Sequence, residues 1–155
     1  MEPAYIGVGA NLGDREATLR RALELLSRHP AIDLVAVSAL RETEPWGLAD
    51  QPPFLNGAAL VRTSLPPGEL LDVMLGVERT LGRRRTGPRY GPRTIDLDLL
   101  LYGDRTIDEP GLAIPHPHLH ERAFALEPLL DLDPDVEIPG RGRVADLLAT
   151  LDSKS

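Results

Sequence analysis

The stretch RYGPRTIDLDLLLYG, residues 89–103, combines the pattern of a buried β-strand with two acidic residues. Its second half is rich in isoleucine, leucine and tyrosine, a composition that favours a strand packed against a hydrophobic core. Asp96 and Asp98 interrupt this apolar run, one residue apart. Because side chains at positions i and i+2 of a strand point the same way, the two carboxylates are predicted to share one face, opposite the apolar side chains.

The Asp96–Asp98 pair carries an electrostatic cost that something must offset. With Cα atoms about 6.5 Å apart, the two carboxylates repel each other by about 2 to 3 kcal/mol at an effective dielectric constant of about 20. Three explanations are open: a fully solvated strand face, salt bridges with nearby arginines such as Arg93, or a hard divalent cation. Mg²⁺ suits such a pair, because it takes one or two carboxylates and fills its other positions with water and substrate phosphates.

Arginines crowd into the loop before this strand, in a chain whose formal net charge is -7. They are Arg83, Arg84, Arg85, Arg89 and Arg93. A loop rich in glycine and proline is a poor frame for salt bridges, because exposed ion pairs contribute little to stability. Guanidinium groups, in contrast, bind phosphate in bidentate fashion. Carboxylates for Mg²⁺ beside arginines for phosphate oxygens predict a phosphoryl-transfer site.

The segments around this strand predict the element order β-α-β-β-α-β. Predicted strands cover residues 4–12, 32–40, 54–63 and 94–103. Predicted helices follow the first and third of these strands, at residues 15–27 and 66–82, and carry apolar side chains at helical spacing. This order is that of an α+β, ferredoxin-like fold, in which one antiparallel sheet has helices packed on it.

The remaining segments are predicted to be less regular. Residues 41–53 contain three prolines and are predicted to form an exposed loop. The proline-rich tail is expected to be a C-terminal extension of short strands, with helices near residues 121–126 and 144–151. Residues 1–155 are predicted to form a single domain.

The composition argues against several classes of protein. The chain has no cysteine, which excludes disulfides and thiolate metal sites, and no apolar run approaches the roughly 18 residues that a membrane span requires. Its acidity argues against nucleic acid and membranes as partners. An RNA-binding sheet is further disfavoured by an aromatic content of 4%. We therefore expect a cytoplasmic, monomeric protein with small-molecule partners.

Two other motifs suggest sites that their spacing does not support. GVGANLGD, residues 7–14, has the spacing G-x-G-x-x-x-G, one residue longer than the dinucleotide-binding fingerprint, and is predicted to be structural. The run PHPHLH places His116, His118 and His120 in alternation, but it supplies no fourth ligand for zinc. A single histidine that donates to phosphate, with Arg122 nearby, requires fewer assumptions.

The motifs together resemble a known family. The opening stretch, preceded by VERTLGRRR and followed by IPHPHLHERAFALEPLLDLDP, closely resembles hydroxymethyl-dihydropterin pyrophosphokinase, a family of folate-pathway enzymes. The likeness extends over nearly the whole chain, through YIGVGANLGD, ETEPWG and DQPPFLNGA, and the block GPRTIDLD is highly specific. It implies transfer of a pyrophosphoryl group from ATP to the hydroxymethyl oxygen of a reduced pterin, with release of AMP. A Mg-dependent nucleotidyltransferase, which would release pyrophosphate, is the alternative enzyme.

The resemblance also implies which residues form the site. Two Mg²⁺ ions would be held by Asp96 and Asp98, which with Arg83 and Arg93 are the expected catalytic residues. The residues expected to contact ATP are Glu78, Arg83, Arg85, Tyr90, Arg93, Leu99, His116 and Arg122. Those expected to contact the pterin are Thr43, Pro45, Trp46, Phe54, Asn56 and Phe124. From the residues alone, core packing would be preferred for the two phenylalanines, and a solvated helix surface would suit Glu78 nearly as well.

Overall fold

A computed structural model describes residues 1–11, 14–43, 53–82 and 95–153 of the chain. Its helices are α1 (Arg15–Ser27), α2 (Pro67–Thr80), α3 (Ala123–Leu132) and α4 (Val144–Ser153), with a 3-10 turn at Leu119–Glu121. Its strands are β1 (Glu2–Ala10), β2 (Ile32–Val37), β3 (Arg41–Thr43), β4 (Phe54–Thr63), β5 (Asp96–Tyr102), β6 (Ile107–Glu109), β7 (Leu112–Ile114), β8 (Glu137–Ile138) and β9 (Gly142–Arg143). None of the described helices is long and apolar enough to cross a membrane.

The first two helices form where their end signals and apolar spacing predict them. The side chain of Asp14 caps α1 by accepting the backbone N–H of Ala17 at 3.1 Å. α2 begins at Pro67, in a position where the missing N–H of proline has no helical partner to lose. Their buried stripes are Leu19, Ala22, Leu23 and Leu26 in α1, and Leu70, Met74 and Val77 in α2. These stripes hold both helices against the sheet.

The central sheet is antiparallel and has the strand order β2-β4-β1-β5, with β3 also paired to β4. β1 therefore lies between β4 and β5, and every strand of the predicted β-α-β-β-α-β core is present. The predicted α+β, ferredoxin-like fold is confirmed. The short pairs β6-β7 and β8-β9 belong to the C-terminal extension.

The strand predicted at residues 32–40 is too long. The loop predicted at residues 41–53 is wrong at its beginning, which forms the short strand β3. β2 ends at Val37, after a bulge between Leu34 and Ala36. Ser38 lies just after this strand but remains bonded to β4, because its hydroxyl accepts the backbone N–H of Ala58 at 2.9 Å. β3 forms within the proline-rich segment because its three residues pair with the beginning of β4.

Helices cover the two faces of the sheet unequally. α1 and α2 pack on one face, over a core that includes Ile6, Val8 and Val61. On the opposite face, α3 and α4 pack over the region of Ala58 and Leu100. α3 is longer than the helix predicted near residues 121–126, because it continues through Pro128 to bury the stripe Leu126, Pro128 and Leu129. The other end of this second face is where half-exposed polar side chains gather.

Candidate active site

β5 presents the two aspartates as the alternation predicts. Asp96 and Asp98 are half-exposed, whereas Leu97 between them is only 5% exposed and packs into the core under α2. The carboxylates therefore project from the same face, away from α1 and α2. Leu99, predicted to contact ATP, is also 5% exposed and lies in that core.

Cross-strand register places an amide beside the carboxylates. Gly9 of β1 lies opposite Asn56 of β4 on one side and opposite Asp96 of β5 on the other. Opposite residues of an antiparallel pair share a face, so Asn56 and Asp96 flank a glycine on the same surface. A Cβ atom at Gly9 would collide with Oδ1 of Asn56. The glycine motif thus has a role that sequence reasoning missed. Because Gly9 has no side chain, it leaves an open patch of backbone, the floor of the site, between the amide and the carboxylate.

Three residues predicted to contact the pterin come together beside this floor. Thr43 lies opposite Phe54, and Asn56 is two residues further along β4. The side-chain amide of Asn56 donates a hydrogen bond to the hydroxyl of Thr43, which fixes the orientation of the amide. All three side chains are half-exposed, as residues that contact a ligand should be.

The chain after β7 brings a histidine to the aspartates. The backbone N–H of His116 donates to the carbonyl oxygen of Leu100 at 3.0 Å, and its ring Nε2 lies 3.9 Å from Oδ1 of Asp98. Burial, together with the positive charge of Arg122 and the proximity of His118, lowers the pKa of His116 to about 4. The ring is therefore neutral at pH 7. Nδ1 accepts the backbone N–H of His118 at 3.4 Å, which favours the tautomer with its proton on Nε2, the atom that faces Asp98.

Arg122 and Phe124 meet at the beginning of α3. The guanidinium carbon of Arg122 lies 5.9 Å from the centre of the Phe124 ring, within the range of a cation–π contact. Both side chains are half-exposed. α3 therefore delivers a cationic group and an aromatic face together to the same side of the sheet.

The remaining predicted residues lie outside the described part of the chain. They are Pro45, Trp46, Arg83, Arg85, Tyr90 and Arg93.

Glu78 is buried, so the interpretation of this residue as a solvated helix surface is wrong. It is 3% exposed, and its Oε2 accepts the backbone N–H of Leu97 at 2.8 Å. Leu97 lies between the two aspartates, so the last turn of α2 holds β5 at the point where both carboxylates project. No sequence signal separates this glutamate from an exposed one, because its burial depends on how α2 packs against β5.

Replacing Glu78 by alanine is expected to destabilise the protein by about 2 kcal/mol, because the buried N–H of Leu97 loses its acceptor. Urea denaturation measures this change. Glu78→Gln keeps an acceptor oxygen and should lose about half as much. Asp72→Ala, at an exposed position of the same helix, is the matched control and should change the free energy of unfolding by less than about 0.5 kcal/mol. Equal losses for Glu78→Ala and Asp72→Ala would contradict the anchoring role.

The donor set at this site fits Mg²⁺ better than zinc. Within the described ranges, no three or more His, Asp or Glu side chains converge on one point. Asp96 and Asp98 supply hard carboxylate oxygens on one half-exposed face, which suits a cation that takes one or two carboxylates.

Fold and site together define a ferredoxin-like α+β protein in which carboxylates and an amide project from one sheet face, with a neutral histidine beside them. Residues 5–134 match the sequence model of the 7,8-dihydro-6-hydroxymethylpterin-pyrophosphokinase (HPPK) family. The chain is 44% identical over 149 residues to the 2-amino-4-hydroxy-6-hydroxymethyldihydropteridine pyrophosphokinase of Pseudomonas aeruginosa, covering 96% of this chain and 91% of that protein. It is 47% identical over 134 residues to the Bacillus subtilis protein of the same name, covering 86% and 80%.

The chain therefore belongs to the hydroxymethyldihydropterin pyrophosphokinase family of folate biosynthesis. As a member, it is a pyrophosphokinase, and the family resemblance predicted from the motifs is confirmed.

Solved structures with low sequence identity share the fold. Plasmodium falciparum HPPK-DHPS with pterin and p-hydroxybenzoate has a TM-score of 0.75 at 15% identity, over 99% of this chain and 43% of that chain. The same wild-type protein with SDX-DHP has a TM-score of 0.73 at 16% identity, over 99% and 44%. The present chain thus spans less than half the length of these HPPK-DHPS chains.

Proposed function

We propose that this enzyme transfers the pyrophosphoryl group of ATP to the hydroxymethyl oxygen of 6-hydroxymethyl-7,8-dihydropterin, giving AMP and the pterin diphosphate. The observation that carries the proposal is the row formed by Asn56, Gly9 and Asp96 across three adjacent strands. It sets a group able to read a pterin beside a group able to hold a metal ion, with only a glycine between them. A pterin held at Asn56 and a triphosphate held through metal ions at Asp96 would therefore lie side by side.

The pterin side of the site rests on the amide and the aromatic rings. Asn56 uses one N–H to bind Thr43, and its remaining N–H and carbonyl oxygen match the donor and acceptor edge of a pterin. Phe54 and Phe124, from opposite elements of the site, would hold the flat ring system between them. Pro45 and Trp46 would line the same pocket, largely through backbone groups.

The phosphate side rests on charge and neutral donors. His116 is neutral and carries its proton on Nε2, so it would donate one hydrogen bond to a phosphate oxygen without requiring a change of charge. Arg122 would bind phosphate beside it, together with Arg83, Arg85 and Arg93. Tyr90 would complete the nucleotide side, whereas Glu78 and Leu99, both buried, would support it by holding β5 in place.

Two Mg²⁺ ions would be held by Asp96 and Asp98. When bound, they would neutralise negative charge on the triphosphate and help to align it. In the transfer, the pterin oxygen would form a bond to the β-phosphorus and lose its proton to water, while the bond between that phosphorus and the AMP oxygen would break. The residues of the chain accelerate this transfer chiefly by alignment, because holding two reactants in line replaces a bimolecular encounter.

A reconstitution assay tests the proposal. The protein is incubated with ATP, Mg²⁺ and hydroxymethyl-dihydropterin, each component is omitted in turn, and AMP is followed by chromatography. AMP should form only in the complete mixture, in equal amount to the pterin diphosphate. AMP formed without pterin would indicate hydrolysis, and inorganic pyrophosphate in place of AMP would indicate the nucleotidyltransferase alternative.

We also infer that residues 1–155 form one domain and that the enzyme acts as a monomer. Support comes from the 155-residue length, which is typical of one domain, and from a candidate site built from described elements of a single chain. Light scattering during size-exclusion chromatography measures the mass directly, and a mass of twice 16.9 kDa would contradict the monomer.

A further inference from the structure

An ion pair joins β3 to α3 across ninety residues of sequence. Arg41 donates from Nη2 to Oδ1 of Asp131 at 2.9 Å, and its Nη1 lies 2.9 Å from Oδ2 of the same carboxylate. This two-point geometry fixes orientation as well as distance. The backbone N–H of Ala39 also donates to Oδ2 of Asp131, at 3.1 Å. One carboxylate therefore holds both the first residue of β3 and the chain leading into it.

The α3 end of this pair lies on the same helix face as a candidate pterin residue. Phe124, Glu127 and Asp131 have the spacing i, i+3 and i+7, so their side chains form one stripe. Glu127 also approaches the guanidinium group of Arg41, with Oε2 3.9 Å from Nε. Phe124 is one turn before Glu127, so the ring and the two side chains that contact Arg41 lie along one face of the same helix.

The β3 end lies directly beside the other candidate pterin residues. Arg41 is the cross-strand partner of Asn56, and opposite residues of an antiparallel pair share a face. Thr43 is two residues after Arg41 and therefore projects from that face as well. The hydrogen bond from Asn56 to Thr43 then lies next to the stem of Arg41.

We propose that Arg41 and Asp131 are a positioning pair, which sets the register of α3 against β3 and β4 and so fixes Phe124 relative to Phe54 and Asn56. This inference rests on the proposed function, since it takes those three residues to bind the pterin. Neither Arg41 nor Asp131 is required to touch the substrate. Their effect on the reaction passes through the spacing of the aromatic rings and the orientation of the amide.

Removal of the pair is expected to leave the protein folded. The side chains of Arg41 and Asp131 are 35% and 30% exposed, and ion pairs this accessible contribute little to stability. Their mutual hydrogen bond lowers the pKa of the Asp131 carboxyl and raises the pKa of the Arg41 guanidinium. Both groups are therefore charged at neutral pH, where the enzyme would be assayed.

The test measures KM for hydroxymethyl-dihydropterin and for ATP separately in Arg41→Ala, Asp131→Ala and the double variant. Each single variant should raise KM for the pterin by about tenfold and change KM for ATP by less than about twofold. The double variant should be only slightly worse than the poorer single variant, and far from the product of the two single effects, because both substitutions break the same Arg41–Asp131 contact. The matched control is Arg143→Ala, which breaks an Arg–Asp pair with Asp135 in the C-terminal extension and should leave both KM values unchanged.

Thermal midpoints separate positioning from a merely structural role. A lower midpoint with both KM values unchanged, or with both raised equally, would overturn the inference. So would single-variant effects that add in the double variant.

The failure of this inference can be distinguished from failure of the proposed function. Turnover by the wild-type enzyme tests the function. If it forms no AMP, the pair is tested by titrating hydroxymethyl-dihydropterin into the wild type and Arg41→Ala, with Mg²⁺ and a non-hydrolysable ATP analogue, and following fluorescence. Weaker binding by Arg41→Ala upholds the inference, whereas equal affinity, or binding by neither, overturns it.

Discussion

Replacing Asp96 or Asp98 by asparagine is expected to lower kcat by about a thousandfold, the effect of losing several kcal/mol of charge stabilisation at the metal. Asparagine has nearly the same shape as aspartate, so the strand and its pairing with β1 should persist. Only the negative charge is removed, and a neutral amide is a poor ligand for Mg²⁺. AMP formation at increasing Mg²⁺ concentration measures both kcat and the apparent affinity for the metal.

A matched control isolates the effect of position from that of charge. Asp108→Asn changes an exposed aspartate on β6, outside the site, and should leave kcat within about twofold of wild type, as surface substitutions usually do. If Asp96→Asn and Asp98→Asn behaved like this control at saturating Mg²⁺, the aspartates would not be the metal ligands. The phosphoryl-transfer mechanism would then require other ligands for the cation.

Replacing Gly9 by alanine is expected to lower kcat/KM for the pterin by about a hundredfold, the effect of displacing a binding group by about 1 Å. The added Cβ cannot coexist with Oδ1 of Asn56 in its present position, so the amide must move or the strands must separate. A shifted amide also loses its hydrogen bond to Thr43, and with it the orientation that suits the pterin edge. Steady-state kinetics with varied pterin measures the loss.

Two comparisons make this prediction specific. Gly76→Ala, in the interior of α2, meets no heavy atom closer than 3.8 Å, so it should stabilise the helix by about 0.5 to 1 kcal/mol with unchanged kinetics. The double variant Gly9→Ala/Asn56→Ala should be no slower than Asn56→Ala, because the clash disappears with the amide. A double variant slower than both single variants would show that Gly9 acts by a route other than Asn56.

The sequence by itself determined the features that depend on neighbours along the chain. The stripes of α1 and α2 follow from apolar residues three and four positions apart, and the shared face of Asp96 and Asp98 follows from their spacing of two. The order of these elements was enough to predict the ferredoxin-like sheet. The family resemblance added candidate residues, whose roles the predicted substitutions now test.

Only the tertiary structure decided which distant segments meet. The sequence did not predict β3, because this short strand in a proline-rich segment depends on pairing with β4. The burial of Glu78 likewise depends on the packing of α2 beside β5. Gly9 acquired a role only when register placed it between Asn56 and Asp96. Arg41 and Asp131 are individually ordinary surface charges, joined when α3 packs on the sheet. Local spacing sets which way a side chain points, but cross-strand register and helix packing set what it faces, and no short window of sequence contains them.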